Sequence, residues 1–192
     1  MTGIPQDEYA ALVEKYGSPR QLDFEADFQD FECELVEKSA ARGRQHDITC
    51  FIPKDGGYVT IQKHDYANTG IFRAPSGGAK SNESIEDAAV REMKEETGYD
   101  VKLNRFVLDL KLDVVCRSRS IIWRSLVFLA DIVGGQMKPI DTREIYDVKI
   151  SSREEMLGPI ADKMEKSGWG GFEYRAFLTK KFFSALDRNI RK

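Results

Sequence analysis

The stretch from Gly77 to Tyr99 constrains this chain most, because it asks for a helix whose inward face ends in carboxylates. Ser84 followed by Asp87 makes a capping box, which predicts a helix over about residues 85–97, and Gly98 stands where a left-handed cap is wanted. At about 100° per residue, Ile85, Ala88 and Ala89 share one arc, and Glu92, Glu95 and Glu96 fall on nearly the same arc further along. A merely solubilising charge run would put its glutamates on the opposite side, with Asp87, Arg91 and Lys94. Carboxylates spaced i, i+3 and i+4 repel by a few tenths of a kcal/mol per pair even when exposed. Turning them inward is worse unless cations sit between them. Hard divalent ions that prefer oxygen ligands, Mg²⁺ above all, resolve that conflict. The glycines just upstream, Gly77 and Gly78, add a loop whose backbone N–H groups suit phosphate.

The rest of the chain reads as a mixed α and β protein. Asp55-Gly56-Gly57 between Ile48–Pro53 and Tyr58–Lys63 is a hairpin signal. Residues 71–73 form a short apolar run before the glycine loop. Two long β stretches, 101–116 and 120–133, follow the acidic helix, and 145–150 is a further short strand. Ser151 or Ser152 can cap a helix, having Glu154 and Glu155 three residues on. A terminal helix over 172–190 carries Phe172, Ala176, Phe182, Phe183 and Leu186 on one side. Helices are expected over 6–16 and 23–40. The second carries Phe24, Phe28, Phe31, Leu35 and Val36 on a stripe too large to leave bare, so it docks on its own domain or on a partner subunit as a homodimer. The order of elements predicts a mixed sheet between helices, preceded by a helical extension over residues 1–45, with the main domain over 46–192.

Composition excludes other classes. Lys plus Arg number 29 and Asp plus Glu 32, a net charge of −3 that gives no strong nucleic-acid or anionic-membrane signature. The longest apolar run, Ile121–Val133, is interrupted by Arg124, Ser125 and Asp131, so no membrane span is expected. The first residues show no signal-peptide pattern. Cys33, Cys50 and Cys116 lie far apart without a CxxC pair, which reads as a reduced, cytoplasmic protein.

The segment Gly77, Glu83, Arg91, Glu92, Met93, Glu95, Glu96, Gly98 and Tyr99 resembles the Nudix box at every fixed position, Tyr99 being aromatic where an aliphatic residue is more usual. The surrounding strand pattern extends the resemblance over about residues 46–190. It implies an α/β fold of the α+β type, an α/β/α sandwich around a mixed sheet. It also implies Mg²⁺- or Mn²⁺-dependent hydrolysis of a phosphoanhydride in a nucleoside diphosphate linked to another group. On that resemblance Glu92, Glu95 and Glu96 bind metal, Arg91 pairs with a box carboxylate, and Glu83 supports the loop–helix turn and reaches a metal through water. The alternative is a Nudix-fold module that binds a small nucleotide-type ligand without turning it over.

Outside the box, Glu144 is the candidate further carboxylate, as metal ligand or general base, because it lies in a polar loop just before a strand. Gly77, Gly78 and Arg73 are candidate substrate contacts at the loop. Arg117, Arg119 and Arg124 are candidate phosphate contacts, since guanidinium pairs with phosphate in bidentate fashion. Trp169, flanked by glycines, is expected either to stack on a flat group of the substrate or to fold back on Phe172. The resemblance does not select a substrate. The proline that ADP-ribose-type members carry some way beyond the box is missing, no proline occurring between Pro75 and Pro139. The tyrosine of diadenosine-polyphosphate members and the array of NADH-type members are missing too.

Overall fold

The computed structural model describes residues 4–117 and 119–190, with the side chains of residues 189 and 190 left aside. Helix α1 (Gln6–Tyr16) is followed by β1 (Arg20–Asp27), α2 (Asp30–Ala41), β2 (His46–Phe51), β3 (Pro53–Lys54) and β4 (Gly57–Lys63). A single 3₁₀ turn, His64–Tyr66, leads toward β5 (Ser76–Gly77), α3 (Ile85–Thr97), β6 (Tyr99–Cys116) and β7 (Arg119–Gly135). The chain ends with β8 (Ile145–Ser151), α4 (Arg153–Leu157), α5 (Pro159–Glu165) and α6 (Gly170–Ile190).

A five-stranded mixed sheet in the order β1-β6-β7-β2-β5 forms the centre. β1 runs parallel to β6 and β2 parallel to β7, while β6–β7 and β2–β5 are antiparallel. Alternation along β6 and β7 feeds two cores, one on each face. Phe106, Leu126 and Phe128 join Ile85, Ala88 and Met93 of α3 and Leu12 of α1. Leu110, Leu112 and Val127 join Phe172, Phe182 and Phe183 of α6. The result is the expected mixed sheet between helices. Asp55 and Gly56 both have positive φ, 50° and 80°, the backbone of a tight hairpin turn, and they join β3 to β4. The strand β4 then pairs with β8 in a second, three-stranded sheet rather than continuing the first.

Residues 23–40 do not form one helix. They divide into the end of β1 and most of α2, with Phe28 and Gln29 between. The physical reason lies in two competing periods. Leu22, Phe24 and Ala26 alternate with exposed polar residues, and that period-2 pattern wins because β6 offers a free edge. The large stripe is covered mostly from within the chain: Phe24 stacks on Phe177 of α6 at 4.2 Å, and Phe28 and Val36 pack on the core. Phe31 and Leu35 stay exposed.

The expectation of wholly reduced cysteines is also corrected. Cys33 and Cys116 form a disulfide across 83 residues of sequence, with Cα atoms 5.9 Å apart. β1 lies beside β6 with Asp27 opposite Val115, and Phe28 N–H donates to the Val115 carbonyl, so the start of α2 is delivered to the end of β6. Nothing in the spacing of the cysteines reveals this pairing. Cys50 is free and buried in the sheet, and burial pushes its thiol well above the ordinary range. Among the described residues, no helix is long and apolar enough to cross a membrane.

Candidate active site

α3 begins and ends where its caps dictate. The Ser84 hydroxyl accepts from Asp87 N–H at 3.0 Å, and Gly98 closes the helix at φ 83°. A Cβ on Gly98 would collide with the carbonyls of Gln136 and Lys138, because the loop after β7 folds onto the helix end. In that loop Lys138 N–H donates to Thr97 O, and both Ile140 N–H and Asp141 N–H donate to Glu95 O. These donors satisfy carbonyls left open at the helix terminus. The same latch carries Glu144 toward the box.

Ile85, Ala88, Ala89, Met93 and Glu96 are buried, while Glu92 and Glu95 sit part-way out. Cations do stand among the carboxylates. Arg91 Nε donates to Glu83 Oε1 at 2.7 Å and Nη2 to Glu83 Oε2 at 2.8 Å. Its Nη1 reaches Glu92 at 2.8 Å and Glu95 at 3.0 Å, and Nη2 also reaches the Gly78 carbonyl at 3.1 Å. Arg91 therefore pairs with three box carboxylates. It holds Glu83 down to about 2, with Lys80 N–H as a further donor, and is itself held firmly protonated.

Glu96 is organised differently. Its side chain is only 3% exposed, with Oε2 accepting from Ser76 N–H at 2.7 Å and Oε1 lying 3.2 Å from Lys63 Nζ. Burial pushes its carboxyl above the usual range, against the pull of Lys63 and Arg73. Lys63 also pairs with Glu144, so one ammonium sits between the buried box glutamate and the loop glutamate. Sequence reasoning missed Lys63: it ends an ordinary strand, and only the register of β4 beside the β7–β8 loop brings it here.

Ser76 links this cluster to a second one. Its hydroxyl lies 2.8 Å from Arg73 Nη1 and 3.0 Å from Arg175 Nη2. Arg73 is buried and also donates to Tyr66 Oη and to the Ala74 carbonyl. Arg175 donates to Thr49 and to Asp47, which in turn accepts from Tyr174 at 2.8 Å and from Trp123 at 3.3 Å. Asp47 and Arg175 lie in elements that carry no recognisable motif.

The other candidate residues lie elsewhere. Arg117 and Arg119 sit at the β6–β7 tip and pair with Asp30 and Glu37 of α2. Leu126 pairs with Ile48, and Ile48 with Gly77, so Arg119 lies roughly 23 Å along β7 from the box loop at about 3.3 Å per residue. Arg124 is engaged with Asp109 by two bonds of 2.7 and 2.6 Å, with its guanidinium over the Tyr9 ring. The structure does not bring these three arginines to the box. Trp169 stacks on Phe172 at 5.0 Å and meets Phe31 edge-on at 4.8 Å.

The donor chemistry fits a hard divalent ion, since Glu92, Glu95 and Glu96 offer only carboxylate oxygens on one helix face. Gly77 has no side chain where a Cβ would run into the Glu92 carboxylate, which lets that carboxylate lie against the loop. Among the described residues, no three acidic, histidine or cysteine side chains converge as a metal cage, because Arg91 and Lys63 draw the glutamates to themselves.

The NUDIX domain model matches residues 43–168. The chain is 34% identical over 91 residues to an ADP-ribose pyrophosphatase from Methanocaldococcus jannaschii, covering 47% of this chain and 52% of that one. It is 31% identical over 94 residues to the NAD-capped RNA hydrolase NudC of Vibrio atlanticus, covering 47% of this chain and 31% of that one. It thus spans about half or less of the length of these curated relatives. The solved MutT protein from Methanosarcina mazei Go1 superposes with a TM-score of 0.50 at 18% identity, over 77% of this chain and 95% of that one, which is a likeness of fold. With the family model covering most of the chain and the box complete, this protein belongs to the Nudix family.

Proposed function

We propose that the protein is a Nudix hydrolase that cleaves a phosphoanhydride bond in a nucleoside diphosphate linked to another group, with Mg²⁺ or Mn²⁺ as cofactor. The observation that carries this reading is the gathering of Glu83, Glu92, Glu95 and Glu96 against one loop–helix turn, with Glu96 buried beside Lys63. A stable fold alone has no use for so many carboxylates in one place. The names of two relatives, an ADP-ribose pyrophosphatase and a NAD-capped RNA hydrolase, support a diphosphate substrate.

Glu92, Glu95 and Glu96 would hold the ion, which when bound neutralises phosphate oxygens and lowers the pKa of a bound water. Arg91 pairs with Glu83, Glu92 and Glu95 and keeps them aligned. The Ser76 N–H holds one oxygen of Glu96 and leaves the other toward Lys63. Glu144, paired with the same Lys63 that meets Glu96, would accept a proton from the attacking water.

Incubation of the full chain with Mg²⁺ or Mn²⁺ and a panel of diphosphates including ADP-ribose and NAD, with phosphatase-coupled phosphate release, tests the reading. Turnover that needs the ion and falls by several orders of magnitude in Glu95→Gln or Glu96→Gln is expected. Full activity in both folded variants, or tight binding of nucleotides with no turnover of any diphosphate, would overturn it.

A further inference from the structure

Between α2, the 3₁₀ turn and the start of α6 lies a pocket of about 610 Å³ that the box chemistry does not use. Its walls are aromatic in sequence: Phe31 meets Trp169, Trp169 stacks on Phe172, and Phe172 meets Tyr66 at 4.9 Å. Phe31 and Leu35, one turn apart on α2, stand at its rim 45% and 60% exposed. Two large apolar side chains left bare beside an aromatic pocket are uncommon on a packed surface and mark a place where something binds.

The pocket also carries charged side chains, Arg73 and Arg175 together with Glu32 and Asp65. Both arginines bond the Ser76 hydroxyl, while the Ser76 N–H holds Glu96 of the box. One residue therefore separates the pocket's arginines from the carboxylate cluster. A ligand seated here would present a flat face to Phe31 and Trp169 and a polar end to the arginines.

We propose that this pocket binds the planar heteroaromatic base of the substrate, with Phe31 and Leu35 of the N-terminal segment as its outer wall. The proposal rests on the phosphoanhydride reading only for what lies at the other end of the ligand. Aromatic side chains accept any base by its π-face. The segment before the family-model match thus supplies part of the specificity.

Calorimetric titration of the full chain in EDTA with the 5′-monophosphates of adenosine, guanosine, cytidine and uridine tests the pocket without turnover, with ribose 5-phosphate as the ring-free control. At least one nucleotide should bind about tenfold or more tighter than the control, and Phe31→Ala should weaken it by about tenfold. Leu35→Ala, at a still more exposed position, should weaken it less and serves as a second variant whose folding is not in question. Both folds are checked by circular dichroism. Binding no tighter than that of ribose 5-phosphate, or a Kd within twofold of wild type in both variants, would overturn the proposal. Under turnover Phe31→Ala should raise KM more than it lowers kcat. If a diphosphate is hydrolysed with KM unmoved in both variants, the pocket assignment fails and the hydrolase reading stands. If binding depends on Phe31 and no diphosphate is hydrolysed, the pocket assignment stands and the hydrolase reading fails.

Discussion

Arg91 is the best single test of how the acidic helix is held. Arg91→Met keeps much of the length of the side chain but removes five hydrogen bonds, four of them to carboxylates of Glu83, Glu92 and Glu95. Charge-assisted bonds contribute about 1.5–3 kcal/mol each when fully buried. Here the Glu83 and Glu92 side chains are 18% exposed and Glu95 39%, so water replaces much of what is lost. The expected loss in EDTA is about 2–3 kcal/mol, or roughly 4–12 °C in Tm for a chain of this size. Arg91→Lys should recover part of it, keeping a point charge without the fork. The effect has a defined pH window. The folded-state value of Glu83 lies near 2, below the ordinary 4.5, so its contribution is complete above pH 4.5 and fades as pH falls toward 2. The gap between wild type and Arg91→Met should narrow over the same range. Urea unfolding followed by circular dichroism measures it, with equal m-values as the check on two-state behaviour. A loss below about 0.5 kcal/mol at pH 7 would mean that the carboxylates are simply solvated.

Three further measurements follow from the N-terminal half. Thiol titration of the denatured, unreduced protein should find Cys50 alone, and native protein should resist the reagent because Cys50 is buried and its thiol is pushed up. The double variant Cys33→Ser, Cys116→Ser should lose stability, the closed loop of 83 residues setting a chain-entropy value of about 4.5 kcal/mol, of which about 2–4 is usually seen; three titratable thiols in the unreduced wild type would show that the cross-link does not form. Glu32→Gln should cost about 1–2 kcal/mol in urea unfolding, because the amide loses the charge that three backbone N–H groups address; an unchanged midpoint would show that the two helix ends need no anion.

The acidic helix was legible because every determinant is local. Its cap, its period and its terminal glycine lie within a few residues of one another, and burial of Ile85, Ala88 and Glu96 follows from the wheel. The long hairpin of β6 and β7 was legible for the same reason. The stretch over 23–40 was not, since Phe24 belongs equally well to a period of two and to a period near four, and only the neighbouring edge of β6 decides. Lys63, Arg175 and Asp47 carry no local signal at all. Their roles arise from strand register and from the return of α6, both long-range. Arg117, Arg119 and Arg124 pair with Asp30, Glu37 and Asp109, partners distant in sequence that no local pattern announces.

Residues before the family-model match look like an appendage in sequence and behave as part of the domain in space. Glu32, buried at 7% exposure, accepts from Gln29 N–H at 3.0 Å, and from Gly170 and Gly171 N–H at 3.1 and 2.9 Å. One carboxylate thus caps the N-termini of both α2 and α6, where the two positive helix ends would otherwise face each other. Gly170 is required there, because a Cβ would strike the Asp27 carbonyl where β1 ends. β1 completes the sheet edge, the disulfide fixes the first turn of α2 to β6, and Glu32 fixes α2 to α6. Three independent ties therefore converge close to Phe31. A wall needed only to cover the core could rely on Phe24 and Phe28, which already pack there. The ties at Glu32 and Cys33 adjoin Phe31, and the contacts of Gly170 and Gly171 adjoin Trp169, so both side chains stand on backbone anchored to the rest of the domain.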